Sequence, residues 1–258
     1  MSSRKALTCL PLLLALSLLG CTAAPGLGAS GPAGSSGSGA ESGEAPALGE
    51  GVDFEDLPEC EGFILDEDED VAGSIVASCV IATAVAHNHG KMTVETDDGN
   101  GLTIFRYEPY AARVVTLDDN RLFISGDEMW FQDQIGWVRA EKDSSNPRAM
   151  MAYTITSAFR AFNDPRVAVA MLETATSWKI IDEEEIDRPD GNSKNAWRLD
   201  AEPFDFMGVH ISALSLWIDN SYTTLQQEAV SSALGISTVT LNRYYDWGVE
   251  EEFIAPVG

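Results

Sequence analysis

From Lys91 onward, apolar residues fall on every second position in short runs set apart by turn-forming residues. "KMTVET" puts Met92 and Val94 on one side of a strand, and "DDGNG" after it is a hairpin signal. "LTIFRY", "RLFIS", "EMWFQ" and "IGWVRA" follow with short polar breaks. This pattern describes a meander of antiparallel strands. It resumes at Trp178 with "WKIID", "AWRLDA", "HISALSLWID", "TTLQQEAV", "STVTLNRYY" and "EEFIA". Leu214, Leu216 and Ile218 share a face of the longest of these, and Val239 and Leu241 share a face of another. One face reads as apolar and the other as mixed with charge, so the sheet is expected to be covered on one side and wet on the other.

Three helices accompany the strands, one ahead of them and two that interrupt them. The first is predicted from Val71 to His87, with Val71, Ile75, Cys79, Ala82 and Ala86 on its buried face, acidic Glu67 to Asp70 at its positive end and Gly90 as its stop. The other two begin at Asn146-Pro147 and Asp164-Pro165, each a capping side chain before a proline in the first helical position. They present Met151, Ile155, Phe159 and Phe162, then Ala168, Met171, Leu172 and Ala175. The stretch 52–258 is long enough for one domain with a sizeable core, and no repeat of fixed period is present. The expected class is α+β: a long antiparallel sheet with helices on one side, able to curl around them without closing and so to enclose an apolar interior.

The first twenty residues have the three zones of an export signal: Arg4 and Lys5, an apolar core from Leu10 to Leu19, and small Gly20 before Cys21. The core is too short to span a bilayer, which takes ~20 apolar residues, and Pro11 interrupts it. "LLGC" at 18–21 resembles the lipobox of bacterial lipoproteins, in which the cysteine is acylated and becomes the mature N-terminus. By that resemblance Cys21 carries the acyl chains and is the membrane partner; two or three chains anchor stably where one does not. From Thr22 to Gly51 the chain is almost entirely Ala, Gly, Ser and Pro, a flexible tether that sets the domain on average ~30 Å from the membrane. The organisation is thus 1–20 signal, 21–51 lipidated cysteine and linker, 52–258 folded domain.

Lys and Arg number 16 against 41 Asp and Glu, and loss of Arg4 and Lys5 makes the mature chain more acidic still. Nucleic acid is excluded as a partner, since its binding rests on neutralising phosphates. Of four cysteines, Cys9 leaves with the signal and Cys21 is lipidated. Cys60 and Cys79 remain on the outer side of the membrane, where a pair is normally oxidised. Neither CxxC nor a zinc-type Cys/His set is present, so the pair reads as a structural disulfide.

No catalytic site assembles, and no cofactor is implied. His87 and His89 in "AHNHG" fall beside the end of the first helix, where imidazoles suit the helix dipole, and a metal role is set aside. His210 opens a strand with no GxSxG-type motif around it. "LDEDED" reads as a solvated helix start, "IDEEEID" as a loop, and "DDGNG" lacks the alternating oxygens of a calcium loop.

The order of elements, with "AWRLDA", "LSLWID" and the terminal "YYDWGVEEEFIAP", resembles the actinobacterial lipoproteins of the LppX/LprAFG family, whose fold is LolA-like. The resemblance covers roughly Cys60 to Pro256. It implies an open half-barrel with helices packed on its concave side and an apolar cavity that binds acylated lipids or glycolipids. Candidate lipid-binding residues are Met151, Ile155, Phe159 and Leu172 on the helices and Leu214, Leu216 and Ile218 on the sheet; thioethers such as Met150, Met151 and Met171 adapt to irregular ligands. Trp217 and Trp247 are assigned to the fold. Three readings stand: a membrane-tethered, non-enzymatic lipid binder or carrier; an envelope lipoprotein with a closed core and a protein partner; and a hydrolase. A cavity of several hundred cubic ångströms favours the first, and a filled interior with an exposed apolar patch the second.

If Cys21 is the anchor, Cys21→Ala moves the protein from the membrane to the soluble fraction with an unchanged far-UV circular dichroism spectrum. Membrane association that persists in this variant contradicts the tether.

Overall fold

The computed structural model describes residues 57–116 and 120–257. The signal segment, Cys21 and the linker lie outside the described residues. After a 3₁₀ turn at Pro58–Cys60 come β1 (Asp70–Ala72), α1 (Gly73–His87), β2 (His89–Thr96), β3 (Gly99–Arg106), β4 (Ala111–Val115), β5 (Arg121–Ser125), β6 (Glu128–Asp133) and β7 (Gly136–Arg139). Next are α2 (Pro147–Phe162), α3 (Pro165–Thr174), β8 (Ser177–Asp187), β9 (Ser193–Ala201), β10 (Phe204–Phe206), β11 (Val209–Ile218), β12 (Thr224–Ala233) and β13 (Ile236–Tyr245).

All thirteen strands form one antiparallel sheet in the order β1-β8-β9-β11-β12-β13-β2-β3-β4-β5-β6-β7, with β10 beside β11 in line with β9. The ends, β1 and β7, do not meet, so the sheet is an open half-barrel, as the resemblance implies. Both edge strands are very short, which limits unwanted pairing. The β13–β2 pairing and the β1–β8 pairing join the two runs of strands that the helices α2 and α3 separate in sequence.

The tight β2–β3 hairpin turns at Asp97-Asp98, as "DDGNG" predicts. Helices α2 and α3 start where the Asn-Pro and Asp-Pro pairs place them. Asn146 Oδ1 accepts from the Arg148 N–H at 3.0 Å, and Asp164 Oδ1 accepts from the Arg166 N–H at 2.9 Å. Other expectations are corrected. "AARVV" is a strand, β4, as are the three-residue β1 and β10. "IDEEEID" lies inside β8, paired to β9 beyond a bulge, and its Ile186 packs with Ala196, Trp217 and Leu225. "EEFIA" is not a strand.

The predicted first helix is shorter. Val71 belongs to β1, and the acidic run before it supplies a turn whose Asp68 pairs with Lys179 at 2.8 Å rather than the first helical turn. The stop is Asn88, in the left-handed region at φ 61, two residues before Gly90. Gly90 sits in β2 because a Cβ there would come within 2.7 Å of the Phe105 ring. The buried face of α1 is Val76, Ala77, Cys79, Val80, Thr83 and Ala84, with Ile75, Ala82 and Ala86 at its margins. Gly73 abuts the end of α3 so closely that a Cβ would meet the Ala175 carbonyl oxygen at 1.9 Å. Cys79 is joined to Cys60, both buried, so the disulfide ties the preceding turn to this helix.

Replacing Cys60 and Cys79 together by Ala is expected to lower unfolding stability by ~2–4 kcal/mol. Denaturant midpoints of the oxidised wild type and the double variant measure this; equal midpoints contradict it.

Candidate functional site

Residues paired across an antiparallel ladder share a face, and the register assigns one face of the whole sheet to the helices. The helices divide it. Helices α1 and α3 cover β8, β9 and β11, where Val76, Val80, Met171, Leu172, Trp178, Ile180, Leu199, Leu214, Leu216 and Ile218 form one core. Helix α2 covers β5 to β7, where Phe159 and Ala152 pack with Ala112, Val114, Leu122, Ile124 and Phe131.

The seven residues proposed for lipid contact therefore part company. Leu172 of α3 and Leu214, Leu216 and Ile218 of β11 are buried in the first core. Phe159 is fully buried and Ile155 partly buried in the second. Met151 does not face the sheet: it is 44% exposed, beside Met150 at 42%. The stripe that α2 turns inward is Ala149, Ala152, Thr156 and Phe159, because small side chains let the helix approach the strands closely. The corner residue Phe162 is only partly buried.

Between the two cores runs a seam over β12, β13, β2 and β3. It holds a cavity of about 80 Å³ bounded by Ile81 and Ala84 of α1, Phe162, Ala168 and Met171 at the α2–α3 corner, and Met92, Phe105, Tyr107, Gln227 and Tyr244 beneath. Sequence reasoning missed that the residues beneath come together, since they belong to two hairpins far apart in the chain, β2–β3 with Tyr107 just past its end and β12–β13. The Tyr244 hydroxyl donates to Gln227 Oε1 at 3.3 Å, and burial pushes this phenol well above its usual pKa. The seam floor is more polar than either core. Asn242, opposite Gln227, and Thr103, opposite Met92, are both 2% exposed. Asn242 Oδ1 and the Thr103 hydroxyl have no hydrogen-bond partner. Trp247 closes one end of the seam, with its ring against Phe105, Tyr244 and His87 and its Nε1–H donating to the Thr224 carbonyl at 2.8 Å.

The titratable groups nearby have structural partners. His87 Nε2 lies 2.9 Å from Thr223 Oγ1, and burial lowers its pKa against the pull of Asp219. His89 begins β2 rather than ending the helix. Burial pushes the Asp219 carboxyl up, but bonds from Lys194 and Ser221 outweigh this and hold it low; it accepts the Ser221 and Thr223 N–H groups and so organises the β11–β12 turn. His210 pairs with Asp205 at 2.9 Å on the surface. Among the described residues no group of three or more His, Cys, Asp or Glu is placed to hold a metal ion.

No family model matches the chain. No curated protein matches it. Among solved structures it is similar to LprF from Mycobacterium bovis, with TM-score 0.48 and 10% identity over 72% of this chain and 97% of that one. It is also similar to the Mycobacterium tuberculosis lipoprotein LppX, with TM-score 0.42 and 14% identity over 69% of this chain and 98% of that one.

Since Leu216 is buried in a filled core, Leu216→Trp overpacks it and is expected to lower stability by about 1–3 kcal/mol. An unchanged thermal midpoint would mean that open space lies beside Leu216.

Proposed function

We propose that the chain is a membrane-tethered envelope lipoprotein, without catalytic chemistry, that binds an acylated lipid or glycolipid in the seam between its two helix-covered cores. The observation that carries this reading is the seam itself, where apolar walls from the helices meet Gln227 and Tyr244 in the cavity floor, with buried, unpartnered Thr103 and Asn242 beside them on the same sheet face. A ligand with an acyl chain and hydroxyl, ester or sugar groups answers both kinds of surface. Lipobox-like "LLGC" and the polar linker supply the anchor and the reach, placing the domain on the outer face of the cell membrane. Among the described residues no helix is long and apolar enough to cross a membrane.

A cavity of 80 Å³ is well below the ~300 Å³ at which ligand pockets begin, so binding requires the seam to widen. The α2–α3 corner at Asn163-Asp164 is suited to this. Helices α2 and α3 are packed into different cores, so the corner between them can lift without breaking up either. The second reading, a closed lipoprotein that acts through a protein partner, has its own support: the two cores are filled, and Met150 and Met151 lie exposed side by side on α2.

Ala168 is a small residue on the wall of the seam, so Ala168→Trp fills the space. Mass spectrometry of organic extracts from the soluble Cys21→Ala protein is expected to find a bound acyl lipid, and the same protein with Ala168→Trp to have lost most of it at an unchanged melting temperature. Absence of acyl lipid from both proteins favours the partner reading.

A further inference from the structure

The face of the sheet turned away from the helices is not uniformly wet. Cross-strand register puts Lys91, Leu102, Ile104, Arg106, Arg113, Val115, Arg121, Phe123, Trp130, Trp137 and Arg139 together on its β2–β7 part. Five cations sharing one surface stand out in a chain of net charge −25. Phe123, on this outer face, is only 3% exposed.

The C-terminal segment accounts for part of that burial. Beyond Trp247 the chain crosses the outer face. Lys91 Nζ reaches Glu251 Oε1 at 2.9 Å, and Arg113 Nη2 donates to Glu251 Oε2 at 2.8 Å. The Phe253 ring lies under the Arg106 and Arg113 guanidinium groups at 5.3 and 5.8 Å. Past Phe253 the cover is incomplete. Ile254 and Pro256 form one wall of a half-open pocket of about 270 Å³ whose other surfaces include Leu102, Ile104, Phe123 and Trp137, with Arg113 and Arg121 also lining it. Arg113 uses its guanidinium only in part: Nη2 is held by Glu251, while Nε is buried and has no acceptor.

A largely apolar pocket whose lining includes two arginines matches one ligand chemistry, an acyl chain that ends in an anion. Guanidinium binds carboxylate and phosphate through paired N–H groups. The volume is just under the ~300 Å³ at which ligand pockets begin, which suits a single chain. We propose that this outer-face pocket binds one acyl chain of an anionic amphiphile, with the head at Arg113 and Arg121 and the C-terminal segment as a wall. The site lies across the sheet from the seam and is independent of it.

Calorimetric titration of the full chain carrying Cys21→Ala, after removal of bound lipid, with dodecanoate and with dodecanol as its neutral counterpart tests the proposal. Dodecanoate is expected to bind more tightly than dodecanol. Ile104→Trp, which fills the pocket, should abolish binding, and Ala168→Trp in the seam should leave it unchanged. Arg121→Gln should weaken dodecanoate about tenfold and leave dodecanol alone. If Ile104→Trp lowers the melting temperature, Leu102→Trp fills the same pocket from the neighbouring position and is expected to act alike. Binding that survives both pocket variants but is lost in Ala168→Trp overturns the proposal and upholds the seam reading. Failure of the parent protein to bind dodecanoate overturns it, and equal affinity for dodecanol overturns the anionic head.

Discussion

Three helices have to cover one face of a thirteen-stranded sheet, and most other features follow from how they divide that task. Burial of apolar surface contributes roughly 25 cal/mol per Å², so each helix goes where the strands are most apolar. Helices α1 and α3 act as a pair over β8, β9 and β11, drawn together where Gly73 meets Ala175, while the Cys60–Cys79 disulfide ties the turn before β1 to α1. Helix α2 sits alone over β5 to β7. Neither group reaches fully across β12, β13, β2 and β3, and it is there that the helix-side face changes from Leu, Ile and Val to Gln227, Thr240, Asn242 and Thr103. The seam is a consequence of covering a wide sheet with few helices.

Features set by local chemistry were legible in the sequence. The starts of α2 and α3 were, because an Asx-Pro pair fixes a cap within two residues. So were the β2–β3 turn and the shared face of Leu214, Leu216 and Ile218. Features set by distant partners were not. Helix α1 carries Ala, Val, Ile and Cys on nearly every side, so spacing selected the stripe Val71, Ile75, Cys79, Ala82 and Ala86, of which Cys79 is fully buried in α1, and only the sheet decides that Val76 and Val80 point inward. The acidic stretch 181–187 looked like a loop because its side chains are solvated, yet its backbone is paired by β9. On α2 the larger residues suggested the inward stripe, whereas close helix–sheet approach selected Ala149, Ala152 and Thr156 and left Met151 outside.

The candidate site was legible only at its roof. Phe162, Ala168 and Met171 were marked by helical spacing, whereas Met92, Phe105, Tyr107, Gln227 and Tyr244 meet only after β12 and β13 close on β2 and β3. The outer face was hidden for a similar reason. Its arginines are scattered along the sequence from Arg106 to Arg139 and come together through register, and the segment that partly covers them, "EEFIA", reads as a strand. A single sheet can in this way present two apolar surfaces of different character, one polar-floored beneath the helices and one rimmed by cations behind them.

The most direct measurement for the central claim is a crystal structure of the domain purified from its native membrane with bound lipid retained. The account predicts acyl density beneath Phe162, Ala168 and Met171, with its polar end at Thr103 and Asn242 and the α2–α3 corner displaced outward. A lipid-bearing crystal in which the seam stays closed, and the acyl chain lies elsewhere, would contradict it.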